Sequence, residues 1–342
     1  MTNIEGTRSI IIAEAGINHD GDLQKAKKMV KIAAEAGADY VKFQSFKADK
    51  LVTKDALTSS YIDEGSHKGE SFRDLLRRLE LDANDHLELK KYCDELGIKF
   101  LSTAFDQESF DFLVELGADV VKIASGDVTN IPLIKYFARS NLPIIMSTGM
   151  ATLGEIESAI EAIEAEGNKQ ITLLHCVSWY PAEISTTNLN YMNTLRSAFN
   201  YPVGYSDHTL GITMTVAARA MGATVIEKHF TIDKNDFGPD HAASIDAAEL
   251  HNLIKSVREV EEGLGSSRRT FGEKELGQRN VHRRSIVASR PISEGQIVTM
   301  EDLTIKRPGT GIKPQDIDDV VGRKAKNDIE GDSVITWSSL ER

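Results

Sequence analysis

Two histidines, His208 in SDHT and His229 in EKHF, each end a short run of apolar and β-branched residues. Neighbouring parallel strands lie about 4.8 Å apart, so imidazoles at matching heights can share one divalent ion. A two-histidine site with few thiolates and open positions suits Mn²⁺, Mg²⁺ or another weakly selected ion such as Co²⁺, acting as a Lewis acid. The alternative is a pair of hydrogen-bonded histidines. Lys42 (YVKFQ) and Lys122 (VVKIAS) also interrupt apolar runs, and a lysine is costly there unless an anion compensates it. Either could be a Schiff-base nucleophile, as in a pyruvate aldolase. Both could instead anchor a phosphorylated or carboxylated substrate, helped by Ser125, Ser147 and Thr148, and two lysines beside a candidate metal favour that reading. Glu14 (AEAGINHDG) and Asp240 (GPDH) supply carboxylates whose spacing does not separate general base from ligand-binding group or metal ligand. His175 sits deeper in its run, His19 and His241 follow turns where they could touch a ligand, and His67, His86, His251 and His282 are expected in solvent.

The elements that must position these residues alternate. Eight apolar or β-branched runs occupy 10–15, 40–46, 100–105, 120–125, 144–148, 171–177, 202–207 and 224–230. Segments with apolar residues at spacings of three and four lie between them, as in 23–36 and 153–166, several closing on Gly. That pattern is βα units on a parallel sheet. Eight units in about 260 residues predict an α/β fold, a (β/α)₈ TIM barrel, with an open doubly wound sheet as the alternative. Each run begins apolar and ends polar, and in such barrels chemistry sits at the C-terminal strand ends. The polar ends therefore predict one active-site mouth, with Thr103, Thr148 and Thr209 open to a helix-capping role instead.

Residues 263–283 (GLGSSRRTFGEKELGQRNVHR) are rich in Gly, Ser and charge and read as a linker. Beyond it, 285–292, 304–307 and 334–337 look like short strands of a β-rich module. The expected domains are thus a barrel at 1–262, a linker at 263–283 and a small domain at 284–342. The 342-residue chain carries 40 basic and 52 acidic residues, a net charge of −12, which argues against nucleic acid and anionic membranes as partners. Residues 283–342 contain ten of each sign, so the whole excess belongs to the first part. No apolar run approaches the roughly 20 residues of a membrane helix, and residues 1–16 lack the features of a signal peptide; a cytoplasmic protein is expected. Cys93 and Cys176 are too few for a disulfide scaffold. No P-loop or GxGxxG follows the first run.

Ten segments in order, IIAEAGINHDGD, VKFQSFKA, FLSTAFD, VKIASGD, IIMSTGM, LLHCVSWYP, VGYSDHT, IEKHFTID, GPDHAAS and KRPGTGI, make the chain resemble the sialic acid synthase family, which builds nine-carbon nonulosonic acids from phosphoenolpyruvate. The resemblance covers nearly the whole length. It implies a TIM barrel followed by an antifreeze-like (SAF) domain, in a domain-swapped homodimer whose small domains reach over the partner's site. By the same resemblance His208 and His229 hold the metal, usually Mn²⁺, while Lys42, Lys122, Thr103, Ser125, Ser147 and Ser206 bind phosphoenolpyruvate. Glu14, Gln44, Tyr180 and Asp240 would contact the acylaminosugar, and Arg307 would reach its N-acyl group from the other subunit. Glu14 would stabilise a developing cation or steer water. Some members carry Asn where this chain has Ser178. VKFQSFKA and EKHFTID look closer to synthases of the legionaminic type, with N-acetylmannosamine as the alternative substrate. Outside this family, a Schiff-base aldolase on Lys42 or Lys122 and a non-catalytic carbohydrate-binding protein remain as readings.

Overall fold

The computed structural model describes residues 8–57 and 69–341, so the expectation for His67 falls outside the described residues. Two compact units divide the chain, residues 1–266 and 267–342.

In the first unit eight parallel strands close into a barrel: β1 Ile10–Gly16, β2 Tyr40–Ser45, β3 Lys99–Ala104, β4 Val121–Ile123, β5 Ile144–Ser147, β6 Ile171–Cys176, β7 Val203–Asp207 and β8 Val225–His229. The open sheet is excluded because β8 pairs with β1 over Ile10↔Val225 to Glu14↔His229. Helices between the strands start and stop where local chemistry dictates. Leu23–Ala36 begins at Asp22, whose carboxylate accepts from the Gln24 and Lys25 amides, and ends on Gly37 at φ 87°, a left-handed cap that costs glycine no side-chain clash. Among the described residues no helix is long and apolar enough to cross a membrane.

Because side chains alternate along a strand, every strand has two faces. The outward face (Ile11, Ala13, Val41, Phe43, Ile123, Met146, Leu173, Val203) joins the helices in the main core. The inward face is built in two layers. Ile12, Tyr40, Leu101, Ile145, Leu174 and Val225 form a separate apolar plug at the lower end. Two residues further along the same strands stand Glu14, Lys42, Thr103, Ser147, Cys176 and Glu227, which line a cavity at the mouth. On β7 the lower position is Gly204. A Cβ there would come within 2.3 Å of the Val225 carbonyl oxygen and 2.6 Å of Leu174 Cδ2, so the plug closes only around a glycine.

The second unit is smaller. β9 Ser285–Ala288 and β10 Leu303–Lys306 pair antiparallel, around a core that includes Ile286, Val298, Ile312 and Ile335. Two expectations are corrected. The third short strand, 334–337, makes a single bridge from Val334 to Val287 and then turns into a 3₁₀ segment, Trp337–Ser339. The expected linker holds a ten-residue helix, Glu273–His282. Its Asn280 carbonyl accepts from the Gly309 amide at 2.8 Å. None of its residues is buried, so it has no apolar stripe by which a sequence reading could find it.

Candidate active site

The mouth of the barrel opens into a cavity of about 590 Å³. Glu14, Lys42, Gln44, Thr103, Lys122, Ser125, Ser147, Tyr180, Ser206, His208, His229 and Asp240 all line it. Arg307 follows β10 in the second unit, where it is exposed.

The floor is a cluster of four buried charges. Lys42 Nζ lies 2.9 Å from Glu14 Oε2 and 3.6 Å from Glu227 Oε2, and Lys122 Nζ is 3.6 Å from Glu227 Oε1. Hydroxyls complete it: Lys122 donates to Ser147 Oγ at 2.8 Å, Lys42 to Thr103 Oγ1 at 3.2 Å, and Ser206 to Glu227 at 3.0 Å. Burial alone would push both carboxyls up. For Glu227 the two lysines outweigh it and hold the group down at about 2. For Glu14 burial wins over Lys42, and the carboxyl rises to about 7. Burial lowers Lys122 despite Glu227, whereas at Lys42 the two carboxylates overcome burial and raise it. With Glu227 ionised and Glu14 poised between its two forms near neutral pH, the two lysines leave the floor of the cavity with an excess of positive charge.

Above the floor stand the two imidazoles, with ring centroids 5.5 Å apart. His208 Nδ1 donates to the Val177 carbonyl at 2.7 Å, so in the neutral ring Nε2 carries the free lone pair, the usual way a protein presents a metal-ligating histidine; burial opposes the charged ring, but Cys176 and the Val177 carbonyl outweigh it and raise the pKa. Burial, then His208 and Lys42, keep His229 well below its ordinary pKa, so the ring is neutral. Its buried Nδ1 makes no hydrogen bond, and the nearest carboxylate, Asp240 Oδ2, is 3.7 Å away. Burial raises Asp240 to about 6. A divalent cation fits this donor set. Tyr180 covers it, its ring 4.0 Å from that of His208.

Several expectations for polar residues are overturned, His175 by the side of its strand on which it falls and the others by the hydrogen bonds that bury them. His175 points away from the cavity and bonds the Thr187 carbonyl at 2.6 Å. His86 is buried rather than solvated, bonded to Ser45 Oγ at 2.7 Å, and Ser45 in turn meets Ser102. His19 bonds the Gly21 amide, and His241 bonds Thr231 and faces Asp20; both are buried structural groups, and neither lines the cavity. Thr148 bonds the Leu174 carbonyl. His251 and His282 are exposed as expected.

Two sets of residues at the site escaped the sequence reading. Glu227, counted among the polar strand ends but given no role of its own, stands between both lysines, and its signal was present: it lies two residues after Val225, as Glu14 lies two after Ile12. The second set is a flank of Leu51, Phe72, Leu75, Leu76, Leu79 and Phe105, drawn from a small apolar cluster beside the β2 and β3 loops. No strand pattern announces it. Ser178 also lines the cavity, and its hydroxyl fills the place of a side chain at Gly149, whose Cβ would lie 2.2 Å away.

Comparison with known proteins agrees with this architecture. Residues 29–269 match the NeuB family model and residues 283–341 the SAF domain model. The chain is 45% identical over 335 residues to the N,N'-diacetyllegionaminic acid synthase of Legionella pneumophila, covering 97% of this chain and 94% of that one. It is also 45% identical over 330 residues to the enzyme of the same name from Campylobacter jejuni, covering 96% and 99%. Among solved structures, the N-acetylneuraminic acid synthetase of Leptospira borgpetersenii in complex with citrate superposes with a TM-score of 0.71 at 34% identity, over 81% of this chain and 93% of that one. With a family model matched across most of the barrel and relatives matched end to end, the chain belongs to the NeuB family.

Proposed function

We propose that the protein is a nonulosonic acid synthase that joins phosphoenolpyruvate to the aldehyde carbon of an open-chain N-acylmannosamine-type sugar and releases phosphate. The floor of the cavity carries this reading: two buried ammonium groups, with Ser147 and Thr103 hydroxyls beside them, form a preorganised cradle for a small polyanion. Lys42, Lys122, Thr103, Ser125, Ser147 and Ser206 hold its phosphate and carboxylate oxygens. C3 of phosphoenolpyruvate forms the new bond to the aldehyde carbon, water adds at C2, and the C2–O bond breaks as phosphate leaves. Glu14, poised near neutrality, faces C2 and either stabilises the charge developing there or orients the water. His208 and His229 hold a divalent cation, Mn²⁺ in this reading, which when bound would polarise the aldehyde oxygen.

Gln44, Tyr180 and Asp240 contact the sugar, and Arg307 of the partner subunit reaches its N-acyl group in a swapped homodimer. The apolar flank favours a sugar carrying methyl groups, so 2,4-diacetamido-2,4,6-trideoxymannose is preferred over N-acetylmannosamine, in keeping with the names of the two 45% identical relatives. Phosphate release from phosphoenolpyruvate is measured with a panel of open-chain amino sugars, with and without Mn²⁺ and chelator. Metal-dependent release with the diacetamido sugar is expected, and none with any sugar overturns the synthase reading. Lys122→Ala should raise the KM for phosphoenolpyruvate about a hundredfold with little change for sugar; an equal change in both defeats the anchoring role. Borohydride trapping with pyruvate, insensitive to chelator, would favour the Schiff-base aldolase instead.

A further inference from the structure

Directly behind the two histidines, on the helix-facing side of the barrel, lies a second ion pair that the cavity never touches. Asp207 and Lys228 are register partners on β7 and β8, 1% and 2% exposed, with Nζ to Oδ2 at 2.9 Å. Their neighbours in register, Ser206 and Glu227, face the cavity, so the pair projects the opposite way, towards the helix Thr213–Ala220. The carboxylate is fully engaged. Asp207 Oδ1 accepts from the Thr209 amide at 2.9 Å and its hydroxyl at 2.8 Å, and Oδ2 accepts from Thr215 Oγ1 at 2.6 Å as well as from Lys228. Lys228 also donates to the Thr209 carbonyl.

The bonded residues bracket the imidazoles. Asp207 and Thr209 flank His208 on both sides, and Lys228 immediately precedes His229. Each histidine's backbone is therefore tied to the other's through a network of buried hydrogen bonds to charged groups. Stability alone does not account for the arrangement. An ion pair this deep returns little net free energy after desolvation, and well-packed apolar residues would serve the fold as well. What the network supplies is a fixed distance between two strand ends.

We propose that Asp207 and Lys228, with Thr215, are positioning residues that set the separation and height of His208 and His229 for a divalent cation. The inference rests on the two-histidine metal reading given above. Mn²⁺ binding to the full-length protein is measured without substrate, by electron paramagnetic resonance of free Mn²⁺, and binding of phosphoenolpyruvate is measured separately in metal-free protein. The double variant Asp207→Asn/Lys228→Met removes both charges at once and leaves neither buried alone. It should bind Mn²⁺ 10- to 100-fold more weakly, as loss of groups that orient metal ligands does, while phosphoenolpyruvate affinity stays within about twofold. Thr215→Val keeps the ion pair and loosens it, and should weaken Mn²⁺ about threefold; it decides the matter if the double variant does not fold. Wild-type Mn²⁺ affinity in the folded double variant or in Thr215→Val overturns the positioning role, as does an equal loss of both ligands, which marks general loosening. Failure of the metal reading is distinguishable: the unmodified protein and His208→Ala would then bind Mn²⁺ alike.

Discussion

The lower and upper layers of the barrel interior are made by the same strands, two residues apart, and they obey opposite rules. Ile12, Tyr40, Leu101, Ile145, Leu174 and Val225 fill space, and the barrel gains from them in proportion to the apolar area they hide. Glu14, Lys42, Lys122 and Glu227 hide charge, and each is tolerable only because the others are present. A step of two residues along a strand thus changes the interior from a packed plug to a charged receptor. The lower layer can be altered by volume alone. The upper layer can be altered only as a set.

That contrast can be broken most sharply at Glu227. Glu227→Gln removes the carboxylate facing both lysines and strands a buried positive charge, so the metal-free, ligand-free protein should lose about 3–5 kcal/mol of unfolding free energy in urea. Added inorganic phosphate should restore part of that loss and raise the melting temperature of the variant more than that of the unmodified protein. Unchanged stability would mean that the four charges are not interdependent. In the lower layer Leu174→Ala should cost about 3 kcal/mol by leaving a cavity, phosphate should not repair it, and turnover per folded molecule should stay close to normal. A phosphate rescue equal to that of Glu227→Gln would erase the distinction between the layers.

The smallest effect is on pH dependence. Glu14 is held at about 7 in the folded protein, and Asp240 at about 6, each above its ordinary value because burial penalises the charged form. The folded state then binds more protons than the unfolded one between the ordinary and raised values, so stability falls as pH rises through that window. Glu227 has the reverse sign: its contribution is complete above its ordinary value and lost only as pH drops towards about 2. Buried neutral histidines such as His229 work the other way, since their low folded values make stability rise over the same range. The test in urea titrations is therefore a difference: between pH 4.5 and pH 7 the stability of Glu14→Gln should rise relative to that of the unmodified protein. Leu174→Ala should leave the slope alone, and a slope insensitive to Glu14→Gln would place its ionisation elsewhere.

Much of this was legible in the sequence, and the residues show why. The eight units follow from counting runs, whereas their closure rests on the β1–β8 pairing that no local pattern encodes; Lys42 and Lys122 stand out because a lysine inside an apolar strand needs an explanation. The polar strand ends, however, do not all serve the mouth. Strand parity sends Glu14, Lys42, Thr103 and Glu227 inwards and His175, Ser102, Asp207 and Lys228 outwards. Sorting by parity would have promoted Glu227 and demoted His175. The apolar flank and buried His86 depend on how loops and helices fold back, which no local spacing encodes. The helix Glu273–His282 was hidden for the reason that it buries nothing.

The closing seam between β1 and β8 sets Glu14 beside His229 in register, and these residues come from opposite ends of the barrel sequence. During synthesis the first strand leaves the ribosome with one edge unpaired and waits for more than two hundred residues until its partner appears. Pairings of such long separation are slow and expose strand edges to aggregation. A barrel that lacks its last strand can still gather Lys42, Thr103, Lys122 and Ser147, but it has neither His229 nor the Glu227 carboxylate between the lysines, so the full charged set and the histidine pair exist only once the ring is complete.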